Sequence, residues 1–286
     1  MNLTSPSQVK RLLVRYGMRP KKRLGQHFLI DRNVLTRIVD ASEARPGVNV
    51  LEIGAGLGVV TREIAGRGAR VVSVEVDPGF KPILDEVLAG IHGVEVVIAD
   101  VLKLDLPSFV RERADGKWIA VGNLPYYITS PIITGLLASR GLFSEMLLMV
   151  QKEVAERLRA APATPGYGSI SVFVQYQCDI ESIMPVSRRV FYPVPEVDSE
   201  LIRLTVRDRP PVEVSDEQSF FRIVRAAFGK RRKTLLNALS SSPELGWSKE
   251  QTLAVLTAAS VDPNRRGETL SLEEFASLAR VGRSLV

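Results

Sequence analysis

The feature that most constrains this chain is the passage "VNVLEIGAGLG" (residues 48–58), where a continuous apolar run enters Gly54, Gly56 and Gly58 and then a helical pattern. Short bounded runs rich in Val and Ile suit strands of a parallel sheet covered on both faces. "RVVSVEVD", "VEVVIAD", "KWIAVGN" and "EMLLMVQ" repeat the pattern, and "VVTREIAGRG" and "GFKPILDEVLAG" read as helices. Strands alternating with helices predict an α/β fold with a doubly wound, mostly parallel sheet and ligands at the carboxyl ends of its strands. Ahead of the sheet, Ser5, Pro6 and the apolar stripe Val9, Leu12, Leu13 and Tyr16, stopped by Gly17, mark one helix. "RNVLTRIVDAS" marks a second. "IESIMPV" and "ELIRLTV" read as a closing strand pair, while "YGSISVFVQYQ" fits a helix or a strand. "RDRPPVEVSDE" is rich in proline and charge, and only helical patterns follow it. We therefore expect an α/β domain over residues 1–206 and a small all-α domain over residues 207–286.

Composition excludes several classes. A single cysteine, Cys178, forbids an intramolecular disulfide, and with only His27 and His92 no metal site is expected. A reducing, cytoplasmic setting fits. Because eighteen consecutive apolar residues occur nowhere, a membrane-spanning helix is not expected. The basic start has no apolar core of a secretory signal. The net charge of +6 is modest, but two stretches are basic and free of acids. Residues 1–30 hold seven cations, among them Lys21, Lys22 and Arg23; residues 218–243 hold six, Arg222, Arg225, Lys230, Arg231, Arg232 and Lys233. Two such clusters in separate parts of one chain point to a polyanionic partner.

Glycines after the first strand permit a tight turn and let backbone N–H groups, that of Gly56 included, approach a ligand closely. Their G-x-G-x-G spacing is one residue tighter than the dinucleotide fingerprint and is weak alone. Three acids sharpen it. Glu75 ends the second strand, where a carboxylate can take both ribose hydroxyls. Asp100 ends the third, where it can accept from an adenine amine. Glu52, inside the first strand, can help hold a cationic group. Each acid singly could be a solvated strand end, the lesser reading; together they disfavour a pyrophosphate and favour a positively charged nucleoside such as S-adenosylmethionine.

"VGNLPYYITS" (residues 121–130) closes the fourth strand with no charge at all. Asn123 offers a side-chain acceptor, Leu124 a backbone carbonyl, Pro125 rigidity and Tyr126 a flat face. An exocyclic adenine amine is a poor nucleophile because its lone pair is delocalised into the ring. Two acceptors gripping its N–H bonds draw that pair out of conjugation, and stacking holds the extruded base. No general base of tuned pKa is required.

These motifs, with "KKRLGQHFLID", "QKEVAERL", "FYPVPEVDSELIRL", "FGKRRKTLLNAL" and "LSLEEFASLA", cover nearly the whole chain. Together they resemble the ribosomal RNA adenine dimethyltransferases, most closely the bacterial small-subunit type. The resemblance implies a Rossmann-like class I methyltransferase domain and S-adenosylmethionine as cofactor. It implies that His27 and Leu29 cover that cofactor, that Gly54, Glu75, Asp100 and Asn123 line it, and that Asn123, Leu124, Pro125 and Tyr126 are catalytic. Phe191 matches the aromatic that closes over the target adenine opposite Tyr126. The C-terminal domain would set a basic helix against RNA phosphates through Arg225, Lys230, Arg231, Arg232 and Lys233, with Lys21, Lys22 and Arg23 as the second cluster. The expected reaction is N6 dimethylation of two adjacent adenines near the 3′ end of small-subunit (16S) RNA, by a monomer acting on a partly assembled subunit. Two alternatives stay open: a large-subunit methyltransferase of the macrolide-resistance type, and a non-catalytic nucleic-acid-binding relative.

Overall fold

In chain order the first elements are α1 (Pro6–Arg15), β1 (Phe28–Leu29), α2 (Arg32–Ala41), β2 (Asn49–Ile53), α3 (Val59–Gly66), β3 (Arg70–Glu75), α4 (Lys81–Val87) and β4 (Val94–Ile98). There follow α5 (Leu106–Arg111), β5 (Trp118–Asn123), α6 (Thr129–Ala138), β6 (Phe143–Gln151), α7 (Lys152–Arg159), α8 (Ser169–Gln177), β7 (Cys178–Val186), β8 (Phe191–Tyr192) and β9 (Ser199–Val206). Four helices end the chain: α9 (Glu217–Phe228), α10 (Leu235–Ser240), α11 (Lys249–Ala258) and α12 (Leu272–Leu285). This computed structural model describes residues 3–230 and 232–285, without the side chain of Lys22.

Seven strands form one sheet in the order β4-β3-β2-β5-β6-β9-β7. β4, β3, β2, β5 and β6 run parallel, and β9 is antiparallel to β6, with Met149 opposite Leu201. Val50, Leu51, Val71, Val72, Ala120, Leu147 and Leu148 are fully buried, which explains why the strands read as unbroken apolar runs rather than alternating ones. Each large side chain so buried contributes roughly 1.5–3 kcal/mol. After β2 the chain winds outward through β3 and β4, then returns to β5 on the other side of β2. That reversal opens a crevice at the carboxyl ends of β2 and β5. Gly122 fits a tight spot there, since a Cβ on it would lie 2.8 Å from a Leu124 methyl and 3.1 Å from the Ile53 carbonyl, and both would have to give way.

The chain divides into two compact units. The first comprises residues 1–155 and 179–206, and the second residues 156–178 and 207–286. The sequence expectation drew one boundary near 207 and left 156–178 in the α/β domain. The segment instead belongs with the C-terminal helices because α8, the stretch that fitted either a helix or a strand, is helical and buries Val172 and Tyr176 among them. Tyr176 lies 4.9 Å from Phe220, ring centre to ring centre, in a core shared with Ile223, Leu256 and Phe275. Tyr167 belongs to the same core and donates its hydroxyl to the Leu270 carbonyl at 2.9 Å. Among the described residues no helix is long and apolar enough to cross a membrane.

Candidate active site

Gly54, Gly56 and Gly58 all take positive φ (82°, 53° and 75°), a backbone that a side chain would strain. The turn they make carries the chain from β2 into α3 and points the Gly56 N–H at Glu75 Oε2, 2.9 Å away. Glu75 Oε1 accepts from the Asp77 N–H, also at 2.9 Å. The carboxylate at the end of β3 is thus aimed by two backbone donors, and each oxygen keeps a second acceptor site. Burial raises the Glu75 pKa, opposed by those same two N–H groups.

Two recesses meet at Gly54. One is lined by His27, Phe28, Leu29, Gly56 and Asn123, with Glu52 among its walls. The other is lined by Val76, Asp100, Leu102, Pro125 and Tyr127. Asp100 caps the turn after β4 by accepting from the Leu102 N–H at 3.1 Å. Glu52 is buried and accepts from the hydroxyls of Thr61 and Ser73. Desolvation pushes its pKa up to about 7, against those hydrogen bonds and with a contribution from Glu75. This donor set fits S-adenosylmethionine: a carboxylate for the ribose hydroxyls, an apolar recess with an acid for the adenine, and a buried carboxyl beside the recess for a cationic amino-acid end. When bound there, that cofactor supplies an electrophilic methyl group.

Over the crevice runs the segment 19–30. Lys21 Nζ pairs with Asp77 at 2.8 Å, Gln26 Nε2 donates to Asp77 Oδ2 at 3.0 Å, and the Lys21 N–H donates to Gln26 Oε1 at 2.8 Å. The Asp77 side chain is 2% exposed, and its donors hold its pKa below the usual carboxylate range despite burial. His27 Nδ1 donates to the Pro193 carbonyl at 2.7 Å, and β1 pairs antiparallel with β8, Leu29 opposite Phe191. Gln26 and Asp77 lie inside motifs quoted above, yet nothing in their local sequence marks them as partners. Lys21, expected on RNA, is engaged with Asp77; Arg23 is exposed, and the Lys22 side chain lies outside the described residues.

At the end of β5, Asn123 Nδ2 donates to the His27 carbonyl at 3.0 Å. A carbonyl can only accept, so this bond fixes which way the amide faces and leaves Oδ1 as the acceptor. The Leu124 N–H donates to the Met149 carbonyl at 3.1 Å, and the Leu124 carbonyl accepts no hydrogen bond from the described residues. The Pro125 carbonyl takes Ile128 N–H and Thr129 Oγ1, both at 3.1 Å, which locks the turn. Half-buried Tyr126 shares a 2.9 Å hydrogen bond with Ser199 Oγ and stacks 6.0 Å from the His27 ring at 22°. Burial raises its pKa. Two acceptors, a rigid turn and an anchored flat ring therefore stand together beside the glycine turn.

Phe191 is placed differently from the open stacking face expected of it: the residue is 1% exposed and packs in the apolar core of this unit. The basic stretch of the C-terminal unit also departs from the expected helix. α9 ends at Phe228 with Gly229 as its cap, and α10 starts after Thr234, so Lys230, Arg232 and Lys233 lie in the connection between them. Arg231 lies outside the described residues. Arg225, on α9, is paired with Glu244 at 3.0 Å.

Residues 17–279 match the family described as ribosomal RNA adenine dimethylase. A protein of Pelotomaculum thermopropionicum named Ribosomal RNA small subunit methyltransferase A is 48% identical over 284 residues, covering 97% of this chain and 96% of its own. One of the same name from Moorella thermoacetica is 46% identical, covering 98% of each. Among solved structures, a dimethyladenosine transferase from Plasmodium falciparum superposes with a TM-score of 0.73 at 25% identity, over 88% of this chain and 96% of that one. The 23S rRNA methyltransferase ErmE superposes with a TM-score of 0.65 at 30% identity, over 90% and 99%. The glycine turn, the acids at the strand ends and the uncharged acceptor pair thus belong to a chain matched along nearly its whole length, and that chain is a member of the ribosomal RNA adenine dimethylase family.

Proposed function

We propose that this protein transfers methyl groups from S-adenosylmethionine to the N6 amines of two adjacent adenines near the 3′ end of small-subunit ribosomal RNA. It acts as a monomer, in the cytoplasm, on a partly assembled subunit. The observation that carries this is the pairing of Asn123 Oδ1 with the unengaged Leu124 carbonyl at the end of β5, beside the glycine turn. Both accept from the adenine N6–H bonds, which turns the amine's lone pair out of the ring plane. Tyr126, its hydroxyl anchored on Ser199, supplies the face for the extruded base, worth roughly 1–3 kcal/mol of stacking. N6 would form its bond to the methyl carbon as the carbon–sulfur bond of the sulfonium breaks, the sulfur keeping that electron pair, and the methylated amine, then cationic, would lose its proton to water. Glu75 holds the ribose hydroxyls, Asp100 the cofactor's adenine amine, and His27 and Leu29 close the methionine end.

The large-subunit alternative is separated by substrate. Incubation with labelled cofactor and unmethylated small subunits, followed by mapping of the modified bases, should place label on two neighbouring adenines near the 3′ end. Protein-free RNA should label far less. Label on large-subunit RNA instead, or none on either, overturns the proposal. Replacing Lys230, Arg231, Arg232 and Lys233 together should weaken subunit binding and flatten its salt dependence, about one counterion fewer per lost phosphate contact.

A further inference from the structure

The C-terminal unit contains a cavity of about 310 Å³ lined by Ser219, Arg222, Leu245, Trp247, Gly282 and Arg283, with Ile223 and Ala279 completing the wall. Its size lies at the lower end of small-ligand sites, about 300–1,000 Å³. Two of its lining residues are cations and none is an acid. Arg222, on α9, donates Nη2 to Ser219 Oγ at 2.7 Å. The nearest acid on that helix end, Asp216, has its oxygens taken by Ser219 Oγ at 2.5 Å and the Gln218 N–H at 2.9 Å. Neither guanidinium has a carboxylate oxygen within 4 Å among the described residues, although the charge of Arg222 reaches Asp216 and helps hold its carboxyl low. The indole of Trp247 rests on α12 at Gly282, beside Arg283 in the chain, where a Cβ would come within 2.8 Å of Cη2 and 2.9 Å of Cζ2. A side chain at position 282 would lift the ring, so glycine there seats the indole in the wall. Trp247 stays half-buried.

We infer that this cavity binds one unpaired nucleotide of RNA, its phosphate held by Arg222 and Arg283 and its base set against Trp247. Guanidinium groups without carboxylate partners match a phosphate bidentately, and an indole stacks on any base. None of the cavity's lining residues belongs to the basic connection between α9 and α10 or lines the catalytic crevice. It rests on the proposal that the protein's substrate is RNA. It would give the C-terminal unit a grip on a single-stranded segment, which exposed cations meeting only phosphates cannot supply.

The test uses the full chain and a hexameric oligoadenylate. Trp118 is fully buried in the sheet, so a change in tryptophan emission on adding the oligonucleotide reports on Trp247. Saturable quenching is expected in the native protein, with binding weakened at least about tenfold in Arg222→Gln/Arg283→Gln. Both arginines are exposed, so the fold should survive; Arg283→Gln alone provides a milder second variant. Read by the anisotropy of a fluorescently labelled oligoadenylate, which needs no tryptophan, Trp247→Ala should bind more weakly and Trp247→Phe should retain most of the affinity. Equal affinity of native and arginine variants overturns the inference. So does competition by inorganic phosphate at the oligonucleotide's own effective concentration, which would mark a simple anion site. Methylation of small subunits by the native protein is measured in parallel. If it fails, the proposed function has failed; if it proceeds while the arginine variant binds oligoadenylate normally, only the cavity assignment has.

Discussion

Asn123 and His27 stand 96 residues apart in sequence and are joined by one hydrogen bond, side-chain Nδ2 to main-chain carbonyl, at 3.0 Å. That bond makes the segment covering the crevice and the acceptor at the end of β5 a single unit. Anything that frees the amide to rotate exchanges an acceptor for a donor at the position where an adenine N–H must be gripped.

Asn123→Ala and Asn123→Asp should both lower the single-turnover methylation rate by about a hundredfold or more, the scale of losing one preorganised polar contact to a reacting group. Asp should be no better than Ala, because its second oxygen would face the His27 carbonyl. RNA affinity should change little. A rate near that of the native protein for either variant would remove Asn123 from the mechanism.

Glu75→Ala should weaken S-adenosylmethionine by about tenfold or more, since two charge-assisted hydrogen bonds are at stake. It also strips the acceptor from the N–H groups of Gly56 and Asp77, so a stability loss of about 1–3 kcal/mol should accompany it. Glu75→Gln, which keeps one acceptor, should lose less of both. Calorimetric titration giving equal affinities for native protein and the alanine variant would exclude Glu75 from the site.

Burial pushes Glu52 from the usual 4.5 to about 7. A carboxyl whose pKa is raised by folding binds its proton more tightly in the folded state. Its contribution to stability is therefore complete below about pH 4.5 and is lost as the pH rises through about 7. Between about pH 5 and pH 8, Glu52→Gln should gain on the native protein by on the order of 3 kcal/mol in the cofactor-free state. Urea unfolding at the two pH values measures it; a constant difference would mean that Glu52 is ionised throughout. A cationic ligand should expel the proton, so binding near pH 7 should release about half a proton per site in the native protein, approaching one near pH 6, and none in the Gln variant.

Lys21→Met separates two roles for this lysine. With its charge already answered by Asp77, it should leave the salt dependence of RNA binding unchanged. It should cost about 1 kcal/mol of stability, a small figure because Lys21 is 39% exposed, and should reduce cofactor affinity several-fold by loosening the segment. A flatter salt dependence would instead return Lys21 to the RNA.

Phe191→Ala should destabilise by about 3–5 kcal/mol, as expected of a fully buried ring. Phe191→Leu keeps most of the volume without the flat face. If the ring receives the target base after moving out of the core, the leucine variant folds but is slow in single turnover. Normal turnover would make Phe191 a packing residue only.

The parallel sheet was legible in the sequence because strands covered on both faces are built mainly of apolar residues, and β2, β3, β5 and β6 bury nearly all of theirs. The glycine turn was legible because positive φ at three nearby positions admits little else. The uncharged end of β5, an amide followed by a proline, also stands out in the sequence, but that the amide presents its oxygen follows from its bond to the His27 carbonyl. Only the tertiary structure decided which groups are already engaged. Lys21 and Arg225 look alike as free cations, yet Asp77 and Glu244, each distant in sequence, neutralise them. Phe191 carries the same letter whether a ring is open or covered, and its burial follows from the pairing of β8 with β1. The segment 156–178 changed sides for a similar reason: periodicity reports that a face is apolar, but its partner is chosen by packing among residues far along the chain. Charge and hydrophobicity are local properties of a side chain; neutralisation and burial are properties of pairs.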